Sequence, residues 1–189
     1  SFTIKLNLGA AAAKTGVGNS GVISAAQAQL EASGGSIYEL AVNQSGVVRA
    51  TGVENKNGRV LLTAAGGTVG VSGNISARNA DGSGGEILVG GDYRGGNTAV
   101  ANAARTVVTA SAKLDASAAS ANASTDAKAG RVIVWADDAT RFLGTIDAQG
   151  KGGGFAEVSG KRWLDFNPSA PVMLGAGGNL LLDPNALVI

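Results

Sequence analysis

The chain has 189 residues, with 15 Lys and Arg against 14 Asp and Glu, a balance that supplies no general field for nucleic acid or anionic lipid. It contains neither histidine nor cysteine, which excludes disulfides and the Ser–His and Cys–His catalytic triads. Glycine is abundant at 30 residues and proline scarce at 3, and the apolar side chains are mostly small, which suits a narrow core. No apolar run is long enough to span a membrane as a helix, so membrane insertion is not expected.

The chain opens in a strand-like pattern, FTIKLNL, and closes in another, NALVI, with no leader pattern at Ser1. It reads as one segment, 1–189, excised from a longer chain. GAAAAKTG from Gly9 is an irregular excursion over 9–16. Beyond it two short motifs alternate. One is a small-residue pair followed by an alternating strand: GGSIYELAV from Gly34, NGRVLLTA from Asn57, GGTVGVSG from Gly66, GGEILVGG from Gly84, AGRVIVWA from Ala129, GGFAEVSG from Gly153 and GGNLLLDP from Gly177. The other is a three-residue step ending in Ala25, Ala50, Ala77, Ala116 or Ala148. Their spacing is loose but recurrent, and it predicts an all-β parallel solenoid of about seven rungs stacked about 4.8 Å apart. A hairpin meander would use similar turns; the repetition of like residues at like positions argues for stacking.

Alternation assigns the faces, because residues two apart in a strand share one side. Val60 with Leu62, Val69 with Val71, Ile87 with Val89, Val132 with Val134, Ala156 with Val158 and Leu180 with Leu182 are predicted inward. So are Ile23, Val48, Ile75, Leu114 and Ile146 with the alanines two residues beyond them. Glu39 falls where a core valine is expected. Glycines are expected at the corners, where positive φ is needed. Leu61, Leu88, Ile133, Trp135 and Leu181 fall on the outward face, with Phe155 placed in register with Trp135; an aligned apolar column there implies a covered or interacting surface. Two segments break the rhythm and are long enough to do the covering: 93–104, with a short helix over NTAVANAA as an alternative to a loop, and 118–129.

GGTVGVSGNISA, GGEILVGGDYRG, GRVIVWADDATRFLGTIDAQG, GGFAEVSGKRWLDF and LLLDPNALVI, in that order, resemble secreted exoproteins of the filamentous-haemagglutinin type, the adhesins of two-partner secretion in Gram-negative bacteria. The resemblance spans 1–189 and is strongest from Gly66 onward. It implies a right-handed parallel β-helix, an outer-membrane two-partner transporter as the export partner, a secreted or cell-surface location, and a role in attachment or biofilm formation. The asparagine-containing motifs of the family's secretion domain are missing, which implies a segment downstream of that domain.

Parallel β-helices also carry polysaccharide lyases and hydrolases, which need carboxylates, or carboxylates with Arg or Lys, on adjacent rungs. Asp137, Asp138 and Arg141 in ADDATRF form the best such cluster, although Asp is ordinary turn chemistry; Lys161, Arg162 and Asp165 around Trp163 form the second. The expectation is nonetheless a non-enzymatic chain without cofactor or metal, since Asp81, Asp92, Asp126 and Asp147 are too sparse for a calcium-binding repeat. Tyr93, Arg94, Trp135, Asp137, Asp138, Arg141 and Trp163 are the candidate contacts for a surface carbohydrate or a host or matrix protein. Asn43, Asn74 and Asn122 begin glycosylation sequons. A cut stack would also bare strand edges at both ends, so either capping by terminal strands or end-to-end association is expected.

Overall fold

Short alternating strands separated by tight corners leave each strand unable to bury its apolar side alone, and here they do so by pairing in parallel. The computed structural model describes residues 2–7, 16–33, 40–52, 57–119 and 126–189. These are all-β, the only helical element among them being a 3-10 turn at Tyr93–Gly95. The strands follow one another in passes. The first three passes are β1 (Phe2–Asn7), β2 (Val17–Asn19) and β3 (Val22–Ala25); β4 (Gln27–Ser33), β5 (Leu40–Gln44) and β6 (Val47–Thr51); β7 (Arg59–Ala65), β8 (Thr68–Val71) and β9 (Asn74–Arg78). Next come β10 (Glu86–Val89), β11 (Arg105–Val108) and β12 (Lys113–Asp115), then β13 (Arg131–Ala136), β14 (Ala139–Phe142) and β15 (Thr145–Asp147). β16 (Phe155–Gly160), β17 (Trp163–Phe166), β18 (Asn179–Leu181) and β19 (Leu187–Val188) complete the series.

The first strand of each pass joins sheet A, ordered β1-β4-β7-β10-β13-β16-β18; the second joins sheet B, ordered β19-β17-β14-β11-β8-β5-β2; the third joins sheet C, ordered β15-β12-β9-β6-β3. All strand pairs in the three sheets are parallel, which rules out a meander. Register puts like residues over like: Val60, Ile87, Val132, Ala156 and Leu180 form one column of sheet A, and Val48, Ile75, Leu114 and Ile146 one of sheet C. These inward positions make up one core cluster, as the alternation predicts, except that Leu180 on the last strand of sheet A is 40% exposed. In sheet B Phe142 stacks on Phe166 with ring centroids 5.8 Å apart. Thr106 and Thr140 are buried there too, their hydroxyls donating to the carbonyls of Trp135 (2.7 Å) and Ser159 (2.8 Å).

The glycine motif does not mark one kind of strand. The copies from Asn57, Gly84, Ala129, Gly153 and Gly177 lead into sheet A, whereas those from Gly34 and Gly66 lead towards β5 and β8 in sheet B. Each pass therefore holds three strands where the two sequence motifs suggest two. The residue just before each of β7, β10, β13, β16 and β18 is glycine for a steric reason, not a dihedral one. A Cβ on Gly130 would fall on the carbonyl oxygen of Ala116, and one on Gly85 would lie 2.5 Å from the Gly58 oxygen. Among the described glycines positive φ falls on others, Gly66 among them at +66°. The excursion over 9–16 lies outside the described residues save for Gly16, Glu39 lies outside them, and of 118–129 only 118, 119 and 126–129 are described.

Candidate functional site

The outward side of sheet A carries an apolar column, Leu61, Leu88 and Ile133, in register on β7, β10 and β13. Exposed, it would cost free energy in proportion to its area. The chain between β10 and β11 covers it: Val100 and Trp135 complete a second buried cluster with the column, and Phe155 packs against it. Asp92 starts this strap. Its carboxylate accepts from the backbone N–H of Tyr93 (2.7 Å), from the Asn97 amide (2.8 Å) and from the Arg131 guanidinium (2.8 Å). Burial works against the charge of Asp92, but the Asn97 and Tyr93 hydrogen bonds with Arg131 and Arg59 nearby outweigh it and hold the carboxyl below its usual value. The strap contains no helix over NTAVANAA; its helical turn comes earlier, at Tyr93–Gly95.

Arg94, inside that turn, has φ +51°, the only non-glycine residue with positive φ among those described. Glu157 fixes it there. Both carboxylate oxygens accept from the Arg94 backbone N–H, at 3.0 and 3.3 Å. Glu157 stands on β16 in register with Ile133 and Leu181, so it occupies a position that is leucine or isoleucine in β7, β10, β13 and β18, and its side chain is fully buried. Burial pushes its carboxyl up; the Arg94 N–H, the Ser159 hydroxyl and the Arg94 guanidinium pull it down less strongly, and Asp183 pushes it further up. The network closes on itself, because the Asp183 N–H donates to the Ser159 hydroxyl (3.2 Å) and Arg94 Nε pairs with Asp183 Oδ2 (3.4 Å).

Above this network lies an open polar cleft of about 580 Å³. Arg94, Gly95 and Asn102 from the strap form one wall, and the β13–β14 corner adds Trp135 and Asp137. Lys161 and the segment after β18, with Asp183 and Asn185, form the other wall. Asn102 Nδ2 donates to the Gly95 carbonyl (3.0 Å) and to Asp137 Oδ1 (3.1 Å), and Trp135 Nε1 donates to that same oxygen (3.1 Å). Asn102 Oδ1 is buried without a hydrogen-bond partner.

The predicted contact residues do not form one site. Arg94, Trp135 and Asp137 meet at the cleft. Trp135 does face outward, as expected, but it is 5% exposed, so it has little free surface on which a ligand could stack. Its register partner is Ser159; Phe155 pairs with Arg131 instead, which corrects the expected alignment. Tyr93, 44% exposed, meets Phe155 edge-on with ring centroids 5.9 Å apart, and the Arg94 guanidinium lies 5.4 Å from its ring centroid. Asp137, Asp138 and Arg141 are separated: Asp137 serves Trp135 and Asn102, Asp138 lies between Arg105 and Arg162 at 3.5 Å from each, and Arg141 pairs across sheet B with Asp165 at 3.0 Å. They form no common charged centre. Trp163 is 39% exposed at the start of β17. Asn43 and Asn74 are exposed; Asn122 lies outside the described residues.

Asn102, Asp183 and Asn185, which line the cleft, and Glu157, which is buried and holds Arg94 at its rim, are not singled out by any sequence motif. Glu157 carried a signal: in GGFAEVSG it takes the place held by apolar residues in the parallel copies. A second groove, about 680 Å³, runs beside the glycine corner and is edged by Arg59, Glu86 and Arg131. Its charges are paired, Glu86 with both arginines and Arg131 also with Asp92. Glu86 lies 2.6 Å from both arginines, although Arg59 Nε approaches as an ion pair without hydrogen-bond alignment. No group of three acidic side chains among the described residues is placed to hold a metal ion. No family model matches the chain, and neither curated proteins nor solved structures provide a match.

Proposed function

We propose that the chain is a right-handed parallel β-helix and a segment of a secreted surface or matrix adhesin of a Gram-negative bacterium. It is a shaft that projects or carries binding surfaces for attachment or biofilm formation. The observation that carries the reading is the fixed order A, B, C in which strands β1 to β15 visit three parallel sheets, continued in sheets A and B by β16 to β19, each new strand added at the same edge. That order is what a solenoid requires, and a solenoid is a length device: it sets binding surfaces at a distance from their anchor. The resemblance of the ordered glycine motifs to two-partner exoproteins supplies the handedness, the outer-membrane transporter and the location. An enzyme centred on Asp137, Asp138 and Arg141 has less support, since the three engage separate partners.

The test is removal of this segment, in frame, from the full-length protein, followed by measurement of secretion, surface attachment and biofilm mass. The expected result is normal secretion with reduced attachment. Unchanged attachment at equal surface display would overturn the proposal.

A further inference from the structure

We infer that the cleft between the strap and the chain after β18 is a binding site for a neutral saccharide of one or two sugar rings. The inference deepens the reading of the chain as a carrier of binding surfaces, and rests on it.

Size is the first argument. About 580 Å³ lies within the usual range of small-ligand sites, about 300–1,000 Å³. Charge is the second. Arg94 and Lys161 face Asp137 and Asp183, so the rim has no net sign with which to gather an anion or a cation. The chemistry of the open valences is the third. Asp137 accepts its two neighbours on Oδ1, and Asp183 pairs with Arg94 through Oδ2. Their other oxygens, the Lys161 ammonium and the Asn185 amide make no side-chain hydrogen bond or ion pair among the described residues. Acceptors and donors therefore alternate around one small space. A hydroxyl both donates and accepts, and a sugar presents several at fixed spacing, so it satisfies such a rim where a purely anionic or purely apolar ligand does not. Among the described residues Trp135 is the only aromatic side chain lining the cleft, and at 5% exposure it has little area to stack on a sugar, which leaves hydrogen bonding to do the holding.

Glu157 and Asn102 are positioning residues for this site. Glu157 holds the Arg94 backbone from beneath, and Asn102 ties Gly95 to Asp137. With the strap so fastened, the cleft exists before a ligand arrives, and binding need not order it.

The chain has only two tryptophans, so Trp163→Phe leaves Trp135 as the sole indole emitter. In that background lactose, maltose and cellobiose are titrated while Trp135 emission is recorded, with galacturonate and glucosamine as the charged comparisons. The expected result is a saturable change with at least one neutral disaccharide. Lys161→Ala and Asp183→Asn should each weaken it about tenfold or more, as loss of a hydrogen bond to a charged group requires. Lys113→Ala, exposed on β12, should leave it unchanged. Circular dichroism identical to the parent establishes that the variants are folded. No saturable change with any neutral sugar, equal binding by folded cleft variants, or tighter binding of a charged sugar would each overturn the inference. X-ray scattering on the same sample keeps the two readings apart. A rod that binds nothing sinks the cleft alone, and a compact particle that binds sinks the shaft alone.

Discussion

One side chain, Glu157, does the most to set the candidate site. A carboxylate in an apolar column opposes burial, and the folded protein meets the cost by leaving the group with a raised affinity for a proton. The linkage has a definite sign. Because the folded carboxyl titrates above its ordinary value of 4.5, the folded state holds more proton than the unfolded state between those two values. The contribution of Glu157 to stability is therefore complete below 4.5 and falls as pH rises through the folded value. Asp92, at the other end of the strap, has the opposite sign: its folded value is lowered, so its contribution is present above the ordinary 3.8 and is lost as pH falls. Glu157→Gln keeps an oxygen to accept the Arg94 N–H but removes the charge. The variant should match the parent in acid and be the more stable of the two at neutral pH, where the buried charge is gone. Denaturant midpoints across a pH series measure this. Parallel curves for the two proteins would show that Glu157 titrates the same way folded and unfolded.

At the level of elements, the sequence made the inward face of most strands of sheets A and C legible, because a period of two is a strong signal when core residues are Val, Ile, Leu and Ala. It made sheet A and sheet C legible for the same reason. Sheet B was hidden. Its later strands, RTVV, ATRF and WLDF, carry charged or polar residues on the outward side and follow Ala104, Asp138 and Arg162, with no glycine pair to announce them. The cover over Leu61, Leu88 and Ile133 was foreseen from their exposure, whereas the form of the cover was not. An Asp-capped turn with a left-handed arginine depends on Glu157, 63 residues away in sequence, and no local propensity encodes that. The corner glycines divide into two physical classes, which substitution can separate. Gly130→Ala places a methyl group on the Ala116 carbonyl, against the Gly85 oxygen and the Ala116 Cβ, none of which has a rotamer to yield, so a loss of about 3 kcal/mol or more is expected. Gly66→Ala has φ +66° but open space, so only the left-handed penalty of about 1 kcal/mol applies. Urea denaturation of both variants gives the comparison, and similar losses would refute the steric account.

For the whole molecule, parallel stacking is a source of stability that needs no disulfide, and it carries a structural liability. Each pass satisfies the backbone of the one before; β15, last in sheet C, bonds on to Met173, but the last strands of sheets A and B leave one side unpaired. β18 ends sheet A and β19 ends sheet B. Their core-column residues, Leu180 and Leu187, are 40% and 43% exposed, and no cap covers them among the described residues. For an isolated 1–189 segment, bare edges at β18 and β19 make association, rather than capping, the outcome to test. Cut out on its own, the 1–189 segment should form oligomers that grow with concentration, joined through this end. Leu180→Lys with Leu187→Lys points charge into the would-be interface, the device by which natural sheet edges avoid pairing. Both leucines are already part-exposed, so the double variant should lose only about 1–2 kcal/mol of stability. Light scattering after size exclusion, over a range of loading concentrations, should show the parent's mean mass rising and the double variant remaining at the 18.5 kDa of a single chain. If both proteins stay monomeric, or both associate alike, the edge formed by β18 and β19 is not the joining surface.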